Sequence, residues 1–230
     1  MSRFKRNILI FSIIFMPITF SLGLWQVDRA NQKTEIINNY DSIISKPAVE
    51  FKIENDFINW QPVYLTGEFT DIILYEDNAL LSGKAGFKIY HLFRTIDNSY
   101  IFIHRGFIER KTIKNDLPII DIPKGKKRLS GTILKKNQNS FVQNIDESDP
   151  RIIQQFSIKD IIKKFTFLEE VLVYEGLMNL SSYDPLKFFS IEKPINMTAS
   201  KHIGYAIQWF GLCLALLIPV SYTHLRAHET

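Results

Sequence analysis

The sequence predicts an α+β membrane protein in which two transmembrane helices flank a β-rich antiparallel soluble domain. Residues 8–25 (ILIFSIIFMPITFSLGLW) carry no charge, and residues 203–220 (IGYAIQWFGLCLALLIPV) repeat that length of apolar chain. Between them the texture is of short apolar and β-branched runs broken by Gly, Asn and Asp, the pattern of strands and turns.

Each element follows in order along the chain. Residues 1–7 hold Arg3, Lys5 and Arg6, a short basic flank that places the N-terminus in the cytoplasm. The first span, 8–25, crosses most of a hydrocarbon layer about 30 Å thick at a helical rise of about 1.5 Å per residue. A cleaved signal peptide would share the basic flank, but the apolar run exceeds the usual length and Trp25-Gln26-Val27-Asp28-Arg29 offers no small-x-small cleavage site. A retained anchor is the better reading. Pro17 falls inside it, where neighbouring helices re-satisfy a freed carbonyl.

The domain between the spans, 26–201, then lies on the far face, in the periplasm of a bacterial inner membrane, with both termini cytoplasmic. A mitochondrial address would want a longer Arg- and Ser-rich leader. Ile36, Ile37, Ile43 and Ile44 interspersed among polar residues extend the first helix beyond the bilayer, and Pro47 stops it. Strands are expected at 63–66, 72–75, 87–96, 100–108, 128–134 and 171–174. Asp97-Asn98 suits a tight turn joining the third and fourth of these. Ser157 caps a helix in which Ile158, Ile161, Ile162 and Phe165 form an apolar stripe. Residues 183–197, with Pro185 and Pro194, form an extended connector. The second span is 202–220, and it contains the single cysteine, Cys213, so no intramolecular disulfide can form. The tail 221–230 (SYTHLRAHET) breaks off from the apolar helix and reads as a non-native scar; His224 and His228 in it are discounted as metal ligands.

The formal charge of +4 and pI near 9.0 come from interspersed charges, so no nucleic-acid partner is implied. The basic run Lys124-Gly125-Lys126-Lys127-Arg128 reads as a solvated loop. Glycine-rich phosphate loop, G-x-S-x-G elbow, H-E-x-x-H and Cys/His metal array are all missing from the sequence, which argues against an enzyme. His91 and His104 sit on expected strands and read as surface or hydrogen-bonded histidines rather than ligands.

The membrane lips say more. His202, Tyr205, Ala206 and Trp209 recur at spacings of three, four and seven, on one side of a helix. Trp25, Gln26 and Arg29 stand at the same depth on the first span. An aromatic belt with interfacial cations accounts for most of these residues, but Gln208, an amide inside the hydrocarbon, is left without a reason. A sharper reading makes His202 an axial ligand to a haem lying between the two helices, with Arg29, Lys201 or Arg105 pairing its propionates.

Gly23-Leu24-Trp25-Gln26-Val27-Asp28-Arg29 with Lys33, and His202-Ile203-Gly204-Tyr205-Ala206-Ile207-Gln208-Trp209-Phe210-Gly211-Leu212, carry a wider likeness. So do Pro62-Val63 with Gly67-Glu68-Phe69, and His104-Arg105-Gly106-Phe107, which keeps the Arg-Gly pair of an N-R-G-W stretch. Together they resemble the Surfeit locus protein 1 family of cytochrome c oxidase assembly factors. The resemblance implies an assembly factor of a haem-copper terminal oxidase that binds haem a transiently and helps its insertion into the catalytic subunit. It makes His202 the ligand to the haem iron. On this reading Tyr205, Gln208, Trp209, Trp25, Gln26 and Arg29 shape the cofactor site. The implied partners are the oxidase catalytic subunit and, secondarily, a haem a synthase. The competing class is a cofactor-free membrane scaffold whose outer domain binds a partner protein.

Overall fold

The apolar run at the N-terminus favours helix, and nothing before Pro47 stops it, so the helix runs far past the hydrophobic stretch. The computed structural model describes residues 3–110, 117–135, 149–189 and 194–225. In chain order the elements are α1 (Arg3–Ile44), β1 (Val49–Glu50), β2 (Pro62–Leu81), β3 (Lys84–Thr95), β4 (Tyr100–Glu109), β5 (Lys127–Leu134), β6 (Ile152–Ile153), α2 (Ile158–Lys164), a 3-10 turn (Thr166–Glu170), β7 (Val173–Leu180) and α3 (Ala199–Leu225). They form two units, Met1–Asp41 with Lys193–Thr230, and Ser42–Glu192.

The first unit is α1 against α3. Both helices are long and apolar enough to cross a membrane, over Arg6–Ile44 and Ala199–Ile218. Their apolar side chains face outward: Ile10, Phe11, Ile13, Ile14, Ile18 and Phe20 on α1, and Ile207, Leu214 and Ile218 on α3, are all exposed. A helix of a water-soluble protein would turn such a face inward; two exposed apolar helices of this length support a membrane protein. The tail expected at 221 continues α3 as far as Leu225, and residues 226–230 lie outside the described residues.

The second unit is the sheet. β2, at 20 residues, absorbs two of the expected strands. Register shifts between Phe69 and Ile73 and between Glu76 and Ala79 let it bend without breaking. Its first part pairs with β5 from Pro62 to Gly67, and its remainder pairs with β3 from Gly67 to Leu81. With β3–β4, β4–β7 and β7–β5 paired in turn, the strands close into a ring. Closure gives each strand of the ring a neighbour on both sides along part of its length.

The expectation of an antiparallel sheet is corrected here, because β7 runs parallel to β4, and β1 and β6 run parallel to β2. The cause is the long crossover from β4 to β7, which passes through α2; parallel neighbours need a connection of that kind. The hairpin of β3 and β4 is as expected, with Asn98 at φ 57° in its turn; Asp97 stays at negative φ. The strand expected at 171–174 begins two residues later and runs to Leu180.

Both faces of β3 and β4 are covered, so their buried residues run continuously rather than alternating. Phe93, Ile101 and Ile103 point into the ring with Val63, Leu65, Leu129, Ile133 and Met178. Tyr90, Leu92 and Phe102 point the other way, against Ile161 of α2 and Leu168 of the 3-10 turn. The Ser157 hydroxyl accepts from Asp160 N at 3.4 Å and starts α2 where the sequence places it.

Candidate functional site

On α1, Ser12, Met16, Thr19, Gly23, Gln26 and Ala30, all but Met16 small or polar, recur alternately four and three apart. All are buried except Met16, which is half-buried. That spacing keeps one seam facing a neighbouring helix. The neighbour is α3, which contributes buried His202, Ala206 and Cys213 with half-buried Trp209 and Phe210. A methyl built on Gly23 would collide with the ring of Phe210, so only glycine admits this approach. The rings of Phe20 and Phe210 lie 5.7 Å apart, and Cys213 Sγ donates to the Met16 carbonyl at 3.6 Å.

At the lip of the seam, His202 Nδ1 is 2.7 Å from Gln26 Oε1, a contact between residues 176 apart in the chain. An amide oxygen can only accept, so in the neutral ring the proton sits on Nδ1 and Nε2 keeps its lone pair. Nε2 is buried and has no hydrogen-bond partner among the described residues. Such an atom calls for a reason, since a buried polar group left unmatched costs about 1–3 kcal/mol.

Of the site residues expected from the sequence, the structure brings His202 and Gln26 together and half-buries Trp209 about two turns further along the same side of α3. Trp25 and Tyr205 are 52% and 45% exposed, and Gln208 is exposed as well, so these three turn away from the seam. The geometry is that of the helix: at about 100° per residue, Ala206 and Trp209 stay within about 40° of His202, Tyr205 reaches the edge and Gln208 lies beyond it. Arg29 is half-buried and donates from Nη1 to Gln32 Oε1 at 2.7 Å, and Lys201 is exposed. At the His202–Gln26 contact the two lips touch. Ala206 was already placed on the His202 side of the helix, but Gly23 and Phe210 were not picked out from the sequence as seam residues, although the alternation of four and three along α1 was there to be read.

Arg105 does not reach for a propionate; it is buried in the sheet unit. Its Nε donates to the Leu186 carbonyl at 3.0 Å, and Nη1 lies 3.3 Å from His91 Nδ1. The Phe188 and Phe69 rings flank the guanidinium at 4.6 and 5.5 Å. His91 Nε2 donates to the Thr70 carbonyl at 2.7 Å, so its Nδ1 is free to accept from the arginine. Burial, the largest influence, drives the His91 pKa down to about 4; the Thr70 carbonyl opposes this and the Arg105 charge adds to it. Gly106, at φ +114°, has the carbonyls of Phe188 and Phe189 where a side chain would start. The Arg-Gly pair is thus a structural clasp holding residues 186–189 on β4.

Residues 13–214 match the family model described as the SURF1 family. Among curated relatives, a SURF1-like protein of Rickettsia felis is 23% identical over 93% of this chain and 94% of its own length. A SURF1-like protein of Rickettsia prowazekii is 25% identical over 96% of this chain and 90% of its own. Surfeit locus protein 1 of Rattus norvegicus is 24% identical over 88% of this chain and 71% of its own.

Proposed function

The chain belongs to the SURF1 family, and from that premise we propose that it is a non-catalytic assembly factor of a haem-copper terminal oxidase, holding haem a on His202 for delivery to the catalytic subunit. The observation that carries this reading is His202 itself: a buried imidazole whose Nδ1–H is taken by Gln26 and whose Nε2 lone pair meets no hydrogen donor among the described residues. Ligating histidines are held in the same way, through the ring nitrogen that does not face the metal.

The donor set fits a haem iron. His202 would hold it through Nε2, with Gln26 fixing the ring; Trp209 stands on the same side of α3, while Tyr205, Trp25 and Gln208 face outward and are not assigned to this site. When bound, haem a would supply an iron that accepts a nitrogen lone pair, and His202 would be the residue that offers it. Gln26 keeps the proton on Nδ1, and burial keeps water from Nε2. The sheet unit is read as periplasmic, beside the oxidase subunit and a haem a synthase.

One observation favours the rival reading of a cofactor-free scaffold: the touching lips make His202–Gln26 a sufficient helix clamp by itself. The two part on one experiment. The full-length protein, purified from cells supplied with haem a, should carry a haem absorption band, and His202→Ala should lose or shift that band. A wild-type protein without haem, or a variant with the wild-type spectrum and affinity, would leave the scaffold.

A further inference from the structure

Gln208 falls at the middle of the Ala199–Ile218 span, exposed, and with no hydrogen-bond partner among the described residues. In a membrane that exposure is to lipid, and an amide in hydrocarbon carries two donors and an acceptor that lipid tails cannot satisfy. The residues around it are small. Gly204, Gln208, Gly211 and Ala215 are all exposed and spaced four, three and four apart. At about 100° per residue they fall within about 60° of one another and roughly half a turn from His202, Ala206 and Cys213. A methyl built on Gly204 or Gly211 would meet nothing within 4 Å. So α3 has a second face, opposite its seam with α1, on which another backbone can come close to a central amide.

We propose that this face pairs with the same face of a second copy of the chain, Gln208 against Gln208. The occupant follows from topology. Copies inserted in the same orientation bring parallel α3 helices together, and parallel helices set equal depths side by side. An amide is its own complement, donating through nitrogen and accepting through oxygen, so two Gln208 side chains satisfy each other with no further partner. The flanking glycines let the helices approach closely enough for that exchange. This pairing is independent of whether His202 holds haem.

The test uses the full chain in phosphatidylethanolamine–phosphatidylglycerol bilayers, labelled at exposed Lys84 through Lys84→Cys in a Cys213→Ala background. Donor- and acceptor-labelled copies should show energy transfer that falls reversibly on dilution with lipid. Gln208→Leu should weaken association by about three- to twentyfold, the range measured for interhelical polar contacts in membranes. Gln208→Asn should retain most of it. Gly211→Val should abolish close pairing, while Ile13→Val, on the lipid face of α1, should leave it unchanged. Circular dichroism confirms that each variant keeps its helix content. Transfer no greater than random proximity, or association indifferent to both Gln208→Leu and Gly211→Val, would overturn the proposal. So would a monomeric protein whose residue 208, replaced by a photo-cross-linking side chain, attaches to a different membrane protein.

Discussion

His91 is neutral because folding makes it so. Its pKa falls from the ordinary 6.5 to about 4, chiefly through burial, with Arg105 adding to the shift and the Thr70 carbonyl and Asp71 opposing it. Between those two values the unfolded chain binds more protons than the folded one. Stability contributed by this group is therefore complete above pH 6.5 and lost as pH falls towards 4, a change of ~3 kcal/mol for a shift of this size. Urea unfolding of the sheet signal between about pH 7 and about pH 4.5 should show the wild type losing stability more steeply than His91→Gln, whose amide does not titrate. Parallel pH profiles for the two proteins would refute the neutral-histidine account. The sequence allowed His91 to be hydrogen-bonded, and His104, buried with Nδ1 3.2 Å from Asn179 Oδ1, meets the same description. What it hid was that the acceptor of His91 serves a buried arginine, because the residues that close over Arg105 come from 186–189, eighty positions away.

At the scale of elements, apolar length placed the two apolar helices, Ser157 the start of α2 and Asp97-Asn98 the β3–β4 hairpin, since each is written in local residues. The face of α3 was read less well. The side read from His202 held Tyr205, Ala206 and Trp209; of these Tyr205 lies at the exposed edge, whereas the helices meet where side chains are smallest, at Gly23 and Ala206. Gln26 is the residue that ties the seam to His202. Gln26→Leu should keep both helices but remove the acceptor from Nδ1, a loss of about 0.5–1.5 kcal/mol of helix pairing. In ¹⁵N spectra of histidine-labelled protein in micelles, wild-type His202 should appear as the single Nδ1–H tautomer, and Gln26→Leu as a mixture. A variant with the wild-type tautomer would remove Gln26 from its positioning role, whatever the haem result.

For the whole molecule, the ring of strands explains how the intervening domain stands without a disulfide. β2 supplies both ends of the closure, so the core of Phe93, Ile101, Leu129, Ile133 and Met178 is sealed within residues 42–192 alone. The sequence showed the strands but not the ring, since pairings such as Val63 with Gly131 and Phe102 with Leu177 join residues 68 and 75 apart, and nothing local specifies them. A self-sealed core predicts independence. The fragment 42–192 should be soluble, with a β-rich circular dichroism spectrum and a single cooperative urea transition, whereas Phe93→Ala within it should cost about 3–5 kcal/mol. The same fragment separates the two functional readings at the molecular scale. If the helices hold the cofactor, the fragment binds no haem a under conditions where the full chain does. If the outer domain is the working part, the fragment alone captures the oxidase subunit as well as the full chain. An unfolded or aggregated fragment would mean that the ring depends on the helices, and the division into a membrane pair and a self-sealed sheet would fall with it.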